Sequence, residues 1–318
     1  MSRIHEALKR AEQERAASQT AQKSEGQDGP ELAVVSSVIE PPVPPAKILP
    51  GALLPHHNAT QDRVEPAPGP NQFDTFWEKS SRKTWKPDRN TIVFENPDPF
   101  FPGAEQFRTL RSRLYRMRES QPLQTVLISS AIPAEGKTVV STNLAYALVR
   151  QQGCRVLLID ADLRSPRVHT LLGAPAAPGL ANYLQNTATQ FEVMQRSGED
   201  GFCFIPAGNN VTHPSELISS DRMKQFLDRV KSAFDWIIID SPPALPVADA
   251  SVLGGLVDGV LFVVRANSTP SEVSQKACKE LRDSHVLGVV LNTAEGSSEY
   301  NSYYANGSYG NPSNGAKK

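Results

Sequence analysis

The stretch TVLISSAIPAEGKTVVSTNLA, residues 125–145, joins an apolar strand to a Gly-Lys-Thr turn and a helical pattern. Such a strand, turn and helix are typical of a phosphate-binding loop, in which backbone N–H groups at the mouth of a helix hold a polyanion. Ala131 stands where the G-x-x-x-x-G-K-[ST] pattern has its first glycine, and Ala134 occupies a loop position where glycine is common. Alanine is the mildest replacement for glycine, so the stretch still predicts this loop.

The loop supplies the first candidate site residues. We expect the phosphates of ATP to contact Ala134, Glu135, Gly136, Lys137, Thr138 and Val139. The ammonium group of Lys137 would reach the β- and γ-phosphates and neutralise charge that develops between them. The hydroxyl group of Thr138 would ligate Mg²⁺. ATP and Mg²⁺ are therefore the expected cofactors.

Composition narrows the function classes. The chain has 318 residues with 33 basic and 34 acidic side chains, a balance that argues against a dedicated nucleic-acid binder. Its three cysteines, Cys154, Cys203 and Cys278, lie far apart, which favours reduced thiols over disulfides or a metal cluster. We therefore expect a cytoplasmic protein. No apolar run reaches membrane-spanning length, so work at a membrane would require a separate partner.

Four regions are expected along the chain. Residues 1–19 have the pattern of a short charged helix, either a solvated helix or a docking helix for a partner. Residues 20–90 are rich in Pro, Gln, Ser and Gly and indicate a disordered linker, with aromatic residues near its end that could pack on the following domain. A folded domain is expected over residues 91–294, and a flexible tail rich in tyrosine over residues 295–318.

Acidic residues follow two further apolar strands. The run RVLLID ends in Asp160 and is followed by Asp162 and Arg164, and the run WIIID ends in Asp240. Carboxylates at the carboxyl ends of buried parallel strands lie where doubly wound sheets place their ligands. They can serve Mg²⁺ or accept a proton from a hydroxyl group. Arg164 could contact phosphate or fix the Asp-x-Asp loop, and Asp249 could support these residues from behind.

Strands alternate with helices along the domain, which predicts a mostly parallel sheet flanked by helices, the α/β fold of P-loop NTPases. Residues 103–118 form a strong helix candidate with Glu105, Arg108 and Arg111 three apart on its polar side. Such a face is typically solvated and carries an (i, i+3) ion pair.

These motifs resemble the bacterial tyrosine kinases of capsule and exopolysaccharide loci, and their cytoplasmic, CpsD/CapB-like type in particular. The likeness covers about residues 92–294. Its motifs are Ala131 to Thr138 as Walker A, Leu157 to Arg164 as Walker A′, Ile237 to Pro243 as Walker B, Glu105-x-x-Arg108-x-x-Arg111, Pro178-Gly179-Leu180, Pro206-Ala207-Gly208 and Pro214-x-Glu216-Leu217. Ala134 and His213 depart from the family pattern, where Gly and Asn are usual.

The resemblance implies an ATP-dependent protein-tyrosine autokinase that regulates exopolysaccharide or capsule polymerisation and export. Its catalytic residues would be Lys137, Asp160, Asp162 and Asp240, with Thr138, Asp162 and Asp240 at Mg²⁺ and either Asp160 or Asp162 as the proton acceptor. Phosphorylation in trans would fall on the tail tyrosines Tyr300, Tyr303, Tyr304 and Tyr309. Glu105, Arg108 and Arg111 would then be an intersubunit contact in a ring.

The same resemblance implies partners. It suggests a membrane-bound, Wzz-like polysaccharide co-polymerase as activator, recruitment to the inner face of the cell membrane by that partner, and a tyrosine phosphatase. Two other functions remain open: a regulatory ATPase switch of the partitioning and septum-positioning kind, and a degenerate nucleotide-binding scaffold. The switch family carries a signature lysine where this chain has Ile132, and the intact Lys137 and Asp240 argue against a scaffold.

Overall fold

The computed structural model describes residues 72–97, 103–198, 200–209 and 211–294. The helix expected over residues 1–19, the linker as far as residue 71 and the tyrosine-rich tail from residue 295 lie outside these ranges.

One eight-stranded sheet forms the centre of the described fold. Its strands are β1 (Ser81–Arg82), β2 (Thr125–Ser130), β3 (Val156–Asp160), β4 (Gln195–Arg196), β5 (Phe202–Ile205), β6 (Trp236–Asp240), β7 (Gly259–Arg265) and β8 (Val286–Asn292). Their order in space is β1-β4-β5-β3-β6-β2-β7-β8. Every pair is parallel except β4 and β5. This is the mostly parallel α/β sheet that the alternating pattern predicts.

Helices cover both faces of the sheet. They are α1 (Gln72–Lys79), α2 (Ala104–Ser120), α3 (Lys137–Val149), α4 (Val168–Leu172), α5 (Leu180–Leu184), α6 (Pro214–Ile218), α7 (Asp221–Lys231), α8 (Asp249–Gly254) and α9 (Ser271–Glu280). Successive side chains of a strand point to opposite faces, so β3 sends Leu157 and Ile159 into one core and Val156 and Leu158 into the other. Burial on both faces explains why these strands are continuous apolar runs.

The central strands bring the acidic strand ends together. β6 lies between β3 and β2, and its register pairs Asp240 with Asp160 on one side and with Ile128 on the other. The phosphate loop follows β2 directly, and α3 leads away from it. Walker A, Walker A′ and Walker B residues therefore share the carboxyl edge of three adjacent strands, as doubly wound sheets require of a ligand site.

The described fold begins earlier than the boundary near residue 91 that composition suggested. Helix α1 buries Phe76 at 5% exposure, and the Phe73 ring meets the Phe234 ring edge-on at 5.4 Å between centroids. The following chain pairs with β4 through β1. The aromatic residues bury enough apolar surface to hold this segment against the domain, although its surroundings in sequence are polar. Expecting a linker over residues 72–90 was therefore wrong.

The sequence also missed the two shortest strands. Strands β1 and β4 contain two residues each, and β4 is the antiparallel member of the sheet. A pair of residues carries no periodic pattern, so such strands form only where a neighbouring strand offers its backbone. The long helices and the central strands lie where the sequence predicts them, to within a few residues at their ends.

Candidate active site

The phosphate loop has the backbone shape that the motif demands. Ala134 and Gly136 both have positive φ, 68° and 89°, and the first turn of α3 begins at Lys137. A left-handed alanine is about 1–2 kcal/mol less favourable than a right-handed one, so Ala134 adopts this loop conformation at a cost in free energy. Backbone N–H groups of Lys137, Thr138 and Val139 belong to the open first turn of a helix, the arrangement that binds phosphate.

Glu135 behaves differently from its neighbours in the loop. Its side chain is only 2% exposed and turns inward, where Oε2 accepts the Ile132 N–H at 2.8 Å and Oε1 accepts the Thr269 hydroxyl at 2.6 Å. The Asn292 amide donates to the carbonyl oxygen of Glu135 at 2.9 Å. Only the backbone of Glu135 therefore remains for phosphate, and Thr269 and Asn292 are site residues that the sequence did not reveal.

Lys137 crosses from the phosphate loop to the Walker A′ loop. Its Nζ donates to Asp162 Oδ2 at 2.9 Å, and both side chains are largely buried, with 12% and 3% exposed. Burial lowers the pKa of Lys137, but the nearby carboxylates of Asp240 and Asp162 more than offset that effect, so its pKa is raised overall. Lys137 is therefore charged and ready to interact with a second set of anionic oxygens.

Thr138 and Asp240 form the other contact across the site. The Thr138 hydroxyl donates to Asp240 Oδ2 at 2.7 Å, and Asp240 is completely buried. Burial raises the pKa of Asp240 to about 6, although Lys137 and the Thr138 hydrogen bond oppose the shift. Its second oxygen, Oδ1, is buried and has no hydrogen-bond partner among the residues that the structure describes. A buried carboxylate oxygen without a donor indicates a position for a cation or a water molecule.

These residues fit Mg²⁺. The unpaired Asp240 oxygen and the Thr138 hydroxyl are hard oxygen ligands on one side of the phosphate loop, and Asp162 lies across from them. Mg²⁺ commonly takes one or two protein oxygens, phosphate oxygens and water rather than an all-protein cage. Within the described ranges, no group of three His, Cys, Asp or Glu side chains is arranged as a metal site.

Asp160 holds the Walker A′ loop from within. It is fully buried, and its oxygens accept the N–H groups of Asp162 at 3.2 Å and Val168 at 3.1 Å. Burial, together with the nearby Asp240, raises the pKa of Asp160 well above its usual value. The second motif carboxylate, Asp162, accepts the Ser165 N–H through Oδ1 and meets Lys137 through Oδ2. The two aspartates of one motif thus have different surroundings.

Arg164 fixes the end of the same loop. Its Nε donates to Asp249 Oδ2 at 2.9 Å and its Nη2 donates to the Ser215 hydroxyl at 2.7 Å. Ser215 in turn donates to Asp249 Oδ1 at 2.6 Å. Of the two roles that the sequence left open for Arg164, the structure displays the one that fixes the loop. Asp249 therefore supports the Walker A′ loop from behind. The third member of this hydrogen-bonded group, Ser215, lies within the Pro214-x-Glu216-Leu217 motif.

Two motifs that contain glycine contact each other through their backbones. The N–H groups of Leu180 and Ala181 donate to the carbonyl oxygens of Pro206 and Ala207 at 2.7 and 2.9 Å. A Cβ atom on Gly179 would overlap the Pro206 carbonyl oxygen, so only glycine permits this approach. The Pro178-Gly179-Leu180 and Pro206-Ala207-Gly208 motifs are therefore two halves of one backbone contact.

The arginine-rich face of α2 divides into two parts. Glu105 and Arg108 form an exposed (i, i+3) ion pair with 3.0 Å between Oε2 and Nη1. Arg111 donates to the Ala147 carbonyl oxygen at 2.7 Å, near the carboxyl end of α3, where a cation stabilises the helix dipole. Arg111 is thus engaged within its own chain, and Glu105 and Arg108 remain available to a neighbour.

The remaining sequence predictions concern the tail and the membrane. Tyr300, Tyr303, Tyr304 and Tyr309 lie outside the described residues. Within the described ranges, no helix combines the length and the apolar character that crossing a membrane requires.

Comparison with known proteins gives consistent matches. Residues 126–270 match a family model described as an AAA domain. The chain is 36% identical over 219 residues to tyrosine-protein kinase YwqD of Bacillus subtilis, covering 68% of this chain and 91% of that protein. The kinase domain of Escherichia coli tyrosine kinase ETK superposes with a TM-score of 0.61 at 31% identity, covering 68% of this chain and 85% of that domain.

A third relative is longer than this chain. The succinoglycan biosynthesis transport protein ExoP of Rhizobium meliloti is 33% identical over 209 residues, which cover 64% of this chain and 26% of ExoP. The extent of the match to YwqD, together with the Walker A, A′ and B geometry, places the chain in one family. It belongs to the bacterial tyrosine kinases, and it is a P-loop protein-tyrosine kinase. The resemblance of the motifs to the bacterial tyrosine kinase family is confirmed.

Proposed function

We propose that this protein is a tyrosine autokinase that transfers the γ-phosphoryl group of ATP to tyrosines of its own C-terminal tail, in trans, and thereby regulates exopolysaccharide polymerisation and export. The observation that carries the proposal is the meeting of Lys137, Thr138, Asp162 and Asp240 at one edge of the sheet. Phosphoryl transfer needs little covalent chemistry from the protein, so positioning and electrostatic stabilisation do most of the work.

The phosphate loop would hold the nucleotide. N–H groups from Ala134 to Val139 bind the phosphate oxygens, while the Lys137 ammonium group neutralises charge between the β- and γ-phosphates. To do so Lys137 would leave Asp162 Oδ2, to which it donates at 2.9 Å. Thr138 and Asp240 would hold Mg²⁺, which neutralises phosphate charge when bound. ATP binding therefore releases the Asp162 carboxylate in the same step that fills the site.

Asp162 is the better candidate for the proton acceptor. Both oxygens of Asp160 accept backbone N–H groups, and its side chain is fully buried, which suits a residue that shapes the loop. Asp162 instead uses one oxygen for Lys137, a partner that phosphate would draw away. We therefore propose that Asp162 receives the phenolic proton of the acceptor tyrosine and that Asp160 positions it.

The tail would be the acceptor. Tyr300, Tyr303, Tyr304 and Tyr309 are four of the seven tyrosines in the chain, embedded among Gly, Ser and Asn. Glu105 and Arg108 offer an exposed charged face for a neighbouring subunit, and a ring of such subunits would present each tail to the next active site. Accumulated phosphates repel one another and would loosen the ring. A tyrosine phosphatase would restore the unmodified state.

A membrane partner completes the proposal. The name of ExoP refers to succinoglycan biosynthesis and transport, and this chain matches about a quarter of that protein. We propose that a separate membrane-bound polysaccharide co-polymerase supplies what the rest of such a relative contributes, activates the kinase and recruits it from the cytoplasm to the inner face of the membrane. Deletion of residues 1–20 should abolish recruitment if the N-terminal segment docks there. Full activity without any partner would count against an activator.

Phosphotyrosine mapping by mass spectrometry tests the autokinase directly. Purified protein incubated with Mg²⁺ and ATP should carry phosphate on the tail tyrosines, and Lys137→Ala should carry none. ATP hydrolysis with every tyrosine unmodified, even in the presence of the co-polymerase, would favour a regulatory ATPase switch instead.

A mixing experiment tests transfer in trans. Full-length Lys137→Ala labelled with ¹⁵N is mixed with unlabelled wild-type protein, so that heavy tail peptides report acceptance by a chain that cannot act on itself. Phosphate on heavy peptides is expected. Phosphate confined to light peptides would show transfer within one chain.

A further inference from the structure

The buried carboxylate of Glu135 connects the phosphate loop to a second loop of the same sheet edge. Oε2 accepts the Ile132 N–H at 2.8 Å inside the loop, and Oε1 accepts the Thr269 hydroxyl at 2.6 Å and the Arg265 N–H at 3.3 Å. Arg265 ends β7, and Thr269 lies between β7 and α9. Because β7 pairs with β2, one side chain ties the loops that follow two neighbouring strands.

A second tie reaches the same residue from β8. The Asn292 side chain donates to the Glu135 carbonyl oxygen at 2.9 Å and is itself almost fully buried. It lies so close to Gly136 that a Cβ atom there would overlap the Asn292 amide. Gly136 therefore requires glycine for two reasons, its φ of 89° and the presence of Asn292.

These ties act on a loop whose backbone is strained. Ala134 precedes Glu135 with a φ of 68°, a conformation that persists only where the surrounding structure over-determines it. The carboxylate also occupies the Ile132 N–H, so that donor faces the protein interior rather than phosphate. The side chain that ties this loop to its neighbour is thus turned into the protein interior.

We infer that the Glu135 side chain positions the phosphate loop for ATP, with Thr269 as its anchor, and that this carboxylate holds the loop in the binding conformation without itself contacting phosphate. The inference rests on the ATP site of the proposed function and deepens it. A preformed loop saves the ordering free energy at the moment of binding, so loss of the tie weakens ATP affinity more than it lowers fold stability.

Asp258 provides a matched control at the opposite end of the same strand. It accepts the N–H groups of Gln124 and Thr125 and the Thr125 hydroxyl through one oxygen, at 2.8 to 3.0 Å. It therefore gathers backbone and hydroxyl donors as Glu135 does, at the edge of the sheet far from the phosphate loop. A general loss of stability would follow from either residue, whereas a loss of ATP affinity should follow only from Glu135.

Equilibrium binding of Mg·ATP by calorimetry, with the melting temperature of each protein measured in parallel, separates the two roles. Glu135→Ala should raise the Kd about tenfold, since it removes hydrogen bonds whose loss typically has that effect on an equilibrium. Glu135→Gln keeps an acceptor for the Ile132 N–H but turns its NH2 group toward Thr269 and the Arg265 N–H, so its Kd should lie between those of wild type and Glu135→Ala. Thr269→Val removes one of the three hydrogen bonds to the carboxylate, so it should raise the Kd by a smaller factor than Glu135→Ala, and Thr269→Ser should resemble wild type. Asp258→Asn should melt earlier with an unchanged Kd.

Three outcomes would overturn the inference: a wild-type Kd in Thr269→Val, a wild-type Kd in folded Glu135→Ala, or an equal rise of Kd in Asp258→Asn. If Glu135→Ala does not fold, the two Thr269 variants decide. Failure of the wild-type protein to bind ATP would instead overturn the proposed function, so the two failures are distinguishable.

Discussion

The two ends of β6 carry the same residue type in opposite electrostatic states. At the amino end, Asp235 forms an ion pair with Arg155 and accepts its backbone N–H at 2.8 Å. Burial raises the pKa of Asp235, but the Arg155 contacts more than offset it, and the net shift is downward. At the carboxyl end, Asp240 is fully buried with one oxygen unpaired, and burial raises its pKa to about 6. The charged form of Asp235 therefore stabilises the fold, whereas the charged form of Asp240 destabilises it.

The neighbouring strands repeat this contrast. Asp258 lies next to the start of β2. Burial raises its pKa, but hydrogen bonds from Thr125 and Lys231 lower the pKa by more, so the net shift is again downward. At the end of β3, burial raises the pKa of Asp160. The carboxylates at the amino edge are saturated with donors, whereas Asp240 at the carboxyl edge keeps one oxygen without a donor among the described residues. Perturbed carboxylates of this kind concentrate at functional sites.

The largest expected effect is on catalysis. Asp240→Asn should lower tail phosphorylation roughly 100-fold or more, because it removes a preorganised charge from a buried site. The same change should raise the melting temperature of the nucleotide-free protein, because it removes a buried charge that destabilises the fold by about 1–3 kcal/mol. Activity and thermal melting are measured on one preparation. A variant that is both inactive and less stable would contradict this assignment of strain to the carboxyl edge.

The matched substitution at the other end of the strand should act in reverse. Asp235→Asn should lower the free energy of unfolding by about 1–2 kcal/mol, because Arg155 loses its charged partner. Denaturant titration measures this loss. Phosphorylation per folded molecule should remain at the wild-type level, and a drop comparable to that of Asp240→Asn would break the comparison.

Lowering the pH should change the stability contributed by the two edges of the sheet in opposite directions. The folded pKa of Asp235 and Asp258 is lowered, so their contribution is present near neutral pH and is lost as pH falls through their folded pKa values, below about 4. The folded pKa of Asp240 is raised to about 6, so the protein gains stability from this group as pH falls through that value. The stability advantage of Asp240→Asn over wild type should therefore be large at pH 7.5 and small at pH 4.5. An advantage that does not change with pH would contradict the sign.

The smallest expected effect concerns the strained loop. Ala134→Gly relieves a left-handed alanine but adds freedom to the unfolded chain, and these effects nearly cancel. Stability should change by less than about 1 kcal/mol, and the Kd for ATP should stay within about threefold of wild type. A large gain in affinity would mean that Ala134 distorts the loop, as a degenerate scaffold would require.

Sequence patterns predict which strand ends form the site, but they do not predict the side-chain contacts that support it. Asp160, Asp162 and Asp240 could be placed because each follows a buried strand, and the ends of parallel strands share one edge. The inward turn of Glu135 could not be predicted, because its partners Thr269 and Asn292 lie more than 130 residues away in the chain. Spacing and the family motif group Arg111 with Glu105 and Arg108, and only the three-dimensional packing shows that Arg111 donates to the Ala147 carbonyl oxygen.

The most direct test of the contrast between the two edges is a carboxyl ¹³C NMR titration of the nucleotide-free protein, with resonances assigned through Asp235→Asn and Asp240→Asn. Asp240 should titrate near pH 6 and Asp235 below the usual aspartate value of about 3.9. If both titrate near that usual value, the two ends of β6 do not differ, and the account of a strained carboxyl edge is wrong.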